Sequence, residues 1–106
     1  MDKGVDASVS AFLERLRRFM QNEKLQIVNR SKFLQTLATL NMTVEDAREE
    51  LFLLTEQEYR KGPERDYDET KPGHIWVFIR KIYGQSVYIK IKEKPDTKMI
   101  VISFHL

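Results

Sequence analysis

Residues 75–105 read IWVFIRKIYGQSVYIKIKEKPDTKMIVISFH, and this stretch decides the fold of the chain. Three runs rich in β-branched and aromatic residues are separated by two turn signals, Tyr-Gly-Gln at 83–85 and Lys-Pro-Asp-Thr at 94–97. Runs of this composition between Gly, Pro and Asp are typical of consecutive antiparallel hairpins. The stretch therefore predicts a three-stranded meander, with strands over residues 75–82, 86–93 and 99–105.

The two faces of this meander differ in chemistry, because side chains alternate between faces along a strand. The apolar face is predicted to hold Val87, Ile89 and Ile91 of the middle strand with Ile75, Val77, Ile79, Ile100, Ile102 and Phe104 of the outer strands. The open face is predicted to hold Tyr88, Lys90 and Lys92 with Trp76, Phe78, Arg80, Met99, Val101, Ser103 and His105. Cations, a phenol, an imidazole and aromatic rings on one wet face suit a ligand that carries phosphates and bases.

The segments before the meander predict helices that cover its apolar face. An apolar stripe at helical spacing begins at Ala7 or Ser8 and predicts a first helix. Ser31 is the expected N-cap of a second helix that Asn41 ends, and Thr43 is the expected N-cap of a third. Residues 25–29 form a short apolar bridge of extended character. The predicted fold class is α+β, with N-terminal helices on one face of a three-stranded or slightly larger antiparallel sheet.

The composition bounds the function classes. A chain of 106 residues without cysteine predicts a single domain over 1–106, with helices over about 8–54, a loop over 55–74 and the meander over 75–105. No apolar run of membrane-spanning length and no signal-peptide pattern are present, so the expected location is the cytoplasm and no membrane partner is expected. Residues 71–106 carry a net charge of +5 and residues 1–70 a net charge of −3, which favours a polyanionic partner at the sheet end.

The sequence contains no Walker loop, dinucleotide fingerprint, HExxH pair or nucleophile elbow, and no cofactor is expected. Four of the acidic residues of the loop, Glu64, Asp66, Asp68 and Glu69, lie close together in sequence. They could collect a cation, but an acidic loop is more often solvated, so metal binding is the less favoured interpretation.

Phosphodiester cleavage by the ribose 2′-hydroxyl is a reaction that needs no metal. It needs a base, an acid and cations that stabilise charge on the phosphoryl oxygens. His105 is the candidate acid or base, because imidazoles exchange protons near neutral pH. Tyr88 could orient the phosphate or assist proton transfer. The candidate cations at the reacting phosphate are Lys61, Arg80 and Lys90, and those for neighbouring phosphates are Arg65, Lys90 and Lys92. An alternative without a functional role stays open, in which these residues are the solvated face of a sheet and pack only against each other.

Four segments carry a family resemblance: LTEQEYRKGP at 54–63, HIWVF at 74–78, GQSVYIKI at 84–91 and VISFH at 101–105. In this order and at these spacings they resemble the MqsR family of type II toxin–antitoxin toxins, within the RelE-like group of bacterial mRNA interferases. The resemblance covers residues 9–106. It implies a RelE-like fold, an endoribonuclease active on mRNA with its site on the exposed sheet face, and inhibition by a cognate antitoxin.

The resemblance also assigns roles by position. Lys61 matches the family's loop lysine, and Tyr88 matches the tyrosine of the GQ-V-Y motif. His105 stands where some members have a catalytic lysine, and Val77 stands where some have a functional glutamine. The glutamine's role is therefore missing here or has moved, with Arg80 as the candidate.

We expect a metal-independent endoribonuclease that acts on mRNA, either free or on the ribosome, with an antitoxin protein as its partner. The alternative is a non-catalytic module that binds RNA or protein through the same open face, since binding-only folds also hold single strands with aromatic and basic side chains.

Overall fold

The computed structural model describes residues 7–65 and 72–106. Within these ranges three helices, α1 (Val9–Gln21), α2 (Ser31–Leu40) and α3 (Val44–Phe52), precede most of the sheet. The strands are β1 (Leu25–Ile27), β2 (Tyr59–Arg65), β3 (His74–Ile82), β4 (Gln85–Lys94) and β5 (Lys98–His105). A short 3-10 helix, Glu56–Glu58, leads into β2. No helix among the described residues is long and apolar enough to cross a membrane.

The five strands form one mixed sheet in the order β1-β5-β4-β3-β2. Strands β3, β4 and β5 are the predicted meander, so the α+β class and the two hairpins are confirmed. The bridge at residues 25–29 contributes β1, which runs parallel to β5. The predicted three-stranded or slightly larger antiparallel sheet is instead a mixed sheet of five strands, because an edge strand is added on each side of the meander and β1 runs parallel to β5.

Strand β2 lies in a segment that was predicted to be an irregular loop. A Gly62-Pro63 pair signals a turn in most sequences, but proline is tolerated in edge strands, where its missing N–H faces no partner. Gly62 has φ +118°, and a Cβ atom there would lie 2.5 Å from the carbonyl oxygen of Ile75. Glycine therefore lets the backbone of β2 approach β3 closely, and two register shifts accommodate the pair. Residues 66–71 of the predicted loop, including Asp66, Asp68 and Glu69, lie outside the described residues.

The helix ends follow local capping chemistry. Ser8 accepts a hydrogen bond from the backbone N–H of Ala11 and begins α1. Thr43 and Asp46 form a reciprocal capping box at α3, as Thr43 was predicted to cap that helix. Asn41 ends α2 in the left-handed conformation with φ 55°. Ser31 is the first residue of α2 rather than its N-cap, and the cap position belongs to Arg30, which makes no side-chain capping bond.

The helices cover one face of the sheet, here called the covered face. Phe12 of α1 stacks on Trp76 of β3 with ring centroids 4.3 Å apart and lies 5.7 Å from Phe78. Tyr59 of β2 contacts the rings of Trp76 and Phe78 edge-on. Val87, Ile89 and Ile91 of β4 are fully buried, as predicted.

The face prediction for β3 is wrong. Trp76 and Phe78 pair with Ile91 and Ile89 and share the covered face with them, and Arg80 follows beside Val87. The residues of β3 that alternate with these, Ile75, Val77 and Ile79, consequently lie on the other face. Because residues 75–79 are apolar on both sides of the strand, alternation gave no information about its orientation. Aromatic stacking against Phe12 decides it.

The face prediction for β5 is wrong in its first half and correct in its second. Ser103 pairs with Lys90, but the next pair is Val101 with Ile91, so Ile102 is an extra residue in a β-bulge. Before the bulge, Met99 and Val101 are buried on the covered face, although they were predicted on the open one. After the bulge, Phe104 lies on the covered face and His105 on the open face, as predicted.

Candidate active site on the open sheet face

The sheet face away from the helices, here called the open face, brings Tyr88 and His105 together. The two residues are direct partners across β4 and β5. Their rings lie 5.5 Å apart between centroids, with the planes inclined by 33°. A phenol and an imidazole are therefore side by side, close enough for both to contact the same phosphate group.

A second row of residues crosses the sheet next to this pair. Lys61 on β2 pairs with Val77 on β3, Val77 pairs with Lys90 on β4, and Lys90 pairs with Ser103 on β5. Strands are spaced about 4.8 Å apart, so the backbones of Lys61 and Lys90 are separated by roughly 10 Å. Lys90 is two residues, or about 7 Å, along β4 from Tyr88. One ammonium group, that of Lys90, thus lies next to the ring pair, and Lys61 lies two strands further along the same row on the open face.

The backbone next to His105 sets the orientation of its ring. Nδ1 lies 3.0 Å from the backbone oxygen of Leu106, and because that oxygen only accepts, Nδ1 is the donor. The N–H of Leu106 in turn donates to the hydroxyl of Thr36 on α2 at 3.2 Å. With Nδ1 engaged, Nε2 is the nitrogen left for proton transfer.

The ammonium group of Lys61 is accessible to a ligand. Its Nζ lies 3.8 Å from Oε1 of Glu64, and both side chains are more than half exposed. An exposed ion pair at this distance contributes between zero and about 1 kcal/mol, so a phosphate can displace Glu64 at little cost.

Lys92 and Arg65, the other two cations predicted for neighbouring phosphates, do not lie exposed on the open face. Lys92 pairs with Ile75 and Ile100 across the sheet. It is only 7% exposed, and its side chain lies close to Gly73. The prediction of an exposed cation at Lys92 is wrong. Arg65 pairs with His74, which puts it on the covered-face side of the edge strand β2.

Arg80 is on the covered face, so its placement in the open-face site is wrong. Its guanidinium donates to Oε1 of Glu50 at 2.8 Å and to Oε2 of Glu58 at 2.8 Å. Burial lowers the pKa of Arg80, but the hydrogen bonds and charges of Glu50 and Glu58 outweigh burial and raise that pKa above its ordinary value. A cation already neutralised by two carboxylates is not available to a phosphate on the opposite face.

Sequence reasoning also missed a buried ion pair on the covered face. Arg15 of α1 binds Glu93 of β4 with two hydrogen bonds, one of them 3.0 Å between Nη2 and Oε1. Glu93 is only 1% exposed. The signal was present, since strand alternation puts Glu93 on the same face as Ile89 and Ile91. An acid at the end of an apolar face requires a cation from the element above it.

Among the described residues no group of three or more His, Asp or Glu side chains is arranged to hold a metal ion. Of the four loop acids considered as cation ligands, Glu64 is among the described residues, and Asp66, Asp68 and Glu69 are not.

Comparison with known proteins now defines the class of the chain. Residues 10–106 match the family model for MqsR toxins, whose description is motility quorum-sensing regulator, toxin of MqsA. The class is that of toxins from toxin–antitoxin systems. Because the match covers nearly the whole chain, the protein belongs to the MqsR toxin family, and the resemblance seen in its four sequence segments is confirmed. No individual curated protein matches the chain.

Proposed function

We propose that this toxin is a metal-independent endoribonuclease that cuts mRNA and thereby stops translation and growth. The observation that supports this most is the arrangement of the open face, where His105 and Tyr88 lie side by side, Lys90 lies next to them and Lys61 lies two strands further along the row of Lys90. An acid–base group, a hydrogen-bond donor and two cations meet the needs of phosphodiester transfer without a metal.

The proposed reaction begins with attack of a ribose 2′-oxygen on the adjacent phosphorus. The 2′-hydroxyl proton goes to a base, the bond to the 5′-oxygen breaks, and that oxygen takes a proton from an acid. The products are a 2′,3′-cyclic phosphate and a 5′-hydroxyl, and no water or metal is consumed. His105 serves as the acid or the base through Nε2, and Tyr88 orients the phosphate or assists the second proton transfer. Lys90 and Lys61 stabilise the charge that builds on the phosphoryl oxygens.

Arg80 leaves the proposed catalytic set, since its charge is held by Glu50 and Glu58 on the covered face. Lys90, next to the ring pair, takes its place beside the exposed Lys61. Val77 lies in the row between Lys61 and Lys90, is 2% exposed and has no polar group, so it contributes no hydrogen bond to a substrate.

The fold and family lead to further parts of the proposal. The domain is RelE-like and spans the chain, it acts in the cytoplasm, and a cognate MqsA-type antitoxin inhibits it. The substrate is mRNA, met either free or on the ribosome.

A binding module is the second candidate, and the ring pair of Tyr88 and His105 favours it equally, because rings on a sheet also stack on bases. The His105→Ala variant separates the two. A nuclease loses turnover and keeps its affinity for RNA, whereas a binding module has no turnover to lose and loses affinity with the ring.

The test is to incubate the protein with a long mixed-sequence RNA in EDTA, beside the His105→Ala and Tyr88→Phe variants, and to map the 5′ ends. We expect discrete cuts by the wild type, with 5′-hydroxyl ends and cyclic phosphates, and fewer or none by the variants. If free RNA stays intact, the same variants are compared on translating ribosomes. Intact mRNA there as well, or cutting abolished by EDTA, would overturn the proposal.

A further inference from the structure

A cleft opens beside His105, on the side of the site away from Lys61. It encloses about 350 Å³ between the connection from β1 to α2 and the end of β5. Its apolar wall is formed by Val28, Phe33, Ile102 and Phe104. Its polar rim is formed by Arg30, Ser31, Lys32, Ser103 and His105. Ligand pockets span roughly 300 to 1,000 Å³, so this cleft is sized for a small group such as one nucleotide.

The charged side chains that line the cleft are basic. Residues 25–44 contain Arg30 and Lys32 and no Asp or Glu, and residues 97–106 contain Lys98 and no Asp or Glu. Both Arg30 and Lys32 are exposed, and neither side chain forms an ion pair or a hydrogen bond with residues 7–65 or 72–106. On the covered face, by contrast, Arg15 and Arg80 are held by carboxylates. The two cations at the cleft therefore lack the counter-charge that an RNA phosphate would supply.

The bulge in β5 connects the cleft to the open face. Ile102 is the extra residue, and it lines the cleft with Ser103 and His105. Ser103 is at the same time the partner of Lys90 in the row across the sheet. Bulges often lie next to active sites, where they redirect side chains. A strand of RNA whose scissile phosphate lies at His105 would thus pass directly into the cleft.

We propose that this cleft holds the nucleotide adjoining the scissile phosphate, with its base against the apolar wall and its own phosphate at Arg30 and Lys32. The inference rests on the proposed ribonuclease function, and it names a part of the RNA site that lies outside the sheet. Because an apolar wall accepts any base, the cleft contributes affinity and register rather than strict base choice.

The test compares the double variant Arg30→Gln, Lys32→Gln with a matched double variant, Arg18→Gln, Lys24→Gln. The control removes the same charge from exposed residues on α1 and at the far end of β1. The probe is a short RNA that spans a mapped cut site and carries a 2′-deoxynucleotide at the cut, so that it binds without being cleaved. Its dissociation constant is measured over a range of salt concentrations. If no cut is found, a mixed-sequence single strand of the same length is used.

For two lost phosphate contacts on a single strand, we expect the slope of log affinity against log salt to fall by about 1.4 in the cleft variant and to stay unchanged in the control. With cleavable RNA shortened one nucleotide at a time from either end, one flanking nucleotide should raise kcat/KM in the wild type and not in the cleft variant. Thermal unfolding midpoints of both variants serve as the check on folding.

Equal salt slopes and equal flanking effects in the cleft variant and the control would overturn the proposal while leaving the nuclease function intact. If the wild type binds RNA through Arg30 and Lys32 but never cuts it, the nuclease function would be overturned and the cleft proposal would not. The cleft would then stand as an RNA site and the catalytic proposal would fall. Binding of an acidic protein segment, with no change for RNA, would assign the cleft to a protein partner instead and would also overturn it.

Discussion

The two faces of the sheet use the same kinds of residue for opposite purposes. On the covered face, Arg15 and Arg80 are nearly enclosed, and each is held by one or two carboxylates. On the open face, Lys90 has no ion pair with any described residue, and Lys61 has a loose one. Cations that carboxylates hold beneath the helices stabilise the fold. Cations on a solvent-exposed face that lack a close carboxylate attract a polyanion. Position relative to the helices decides the role, and the residue type alone does not.

The largest difference is expected between the two histidines, one on each face. His105→Ala should lower RNA cleavage by about 10²- to 10⁴-fold, the usual contribution of an acid–base group, with RNA affinity largely kept. His74→Ala, on the covered-face side of β3, should leave the cleavage rate per folded molecule unchanged. Single-turnover cleavage in EDTA measures both. Equal losses in the two variants would mean that the faces do not differ as described.

The buried pair on the covered face should give the largest change in stability. Arg15→Met leaves the carboxylate of Glu93 buried without its partner, which costs about 3 kcal/mol of unfolding free energy or more. Arg18→Met, on the exposed side of the same helix, should change it by about 0.5 kcal/mol or less. Urea unfolding of the two variants gives the comparison. A small loss for Arg15→Met would show that the pair does not hold α1 to the sheet.

Arg80→Met should cost about 2 kcal/mol, less than Arg15→Met because Glu50 and Glu58 remain partly exposed. The pKa of Arg80 is raised in the folded protein, so its stabilisation is complete below the unfolded pKa and is lost only as pH rises through the folded one. Both lie far above neutrality. The difference in unfolding free energy between wild type and Arg80→Met should therefore be the same at pH 6 and pH 9, and a steep change between them would contradict this account.

The smallest effect is on the salt dependence of binding. Lys90→Met should lower the slope of log affinity against log salt by about 0.7, the value for one phosphate contact on a single strand. Lys24→Met removes the same charge from an exposed residue away from the open face and should leave the slope unchanged. Fluorescence titrations with a non-cleavable RNA at several salt concentrations check this. Identical slopes for the two variants would remove Lys90 from the RNA site.

The sequence predicted the parts of the fold in which one signal acted without competition. The polar–apolar alternation of residues 86–92 gave both faces of β4, the apolar stripe gave α1, and the capping residue Thr43 gave the start of α3. Tyr88, Lys90 and His105 were placed correctly on the open face for the same reason.

The errors occurred where two signals conflicted or where a long-range contact decided the outcome. Residues 75–79 are apolar on both sides, so the orientation of β3, and with it the face of Arg80, followed from stacking on Phe12. The extra residue Ile102 reversed the alternation in the first half of β5. Gly62-Pro63 resembled a turn but forms part of an edge strand, which carries Lys61 to the open face. None of these features is encoded in local periodicity.

The most direct test of the difference between the faces is the cleavage rate per folded molecule for Lys90→Met and Arg80→Met, two variants that lose one cation each from opposite faces. We expect Lys90→Met to cut about tenfold more slowly or worse at unchanged stability, since it removes charge at the developing phosphoryl dianion. Arg80→Met should cut at the wild-type rate per folded molecule at reduced stability. A normal rate for Lys90→Met together with a lost rate for folded Arg80→Met would contradict the assignment of the reaction to the open face.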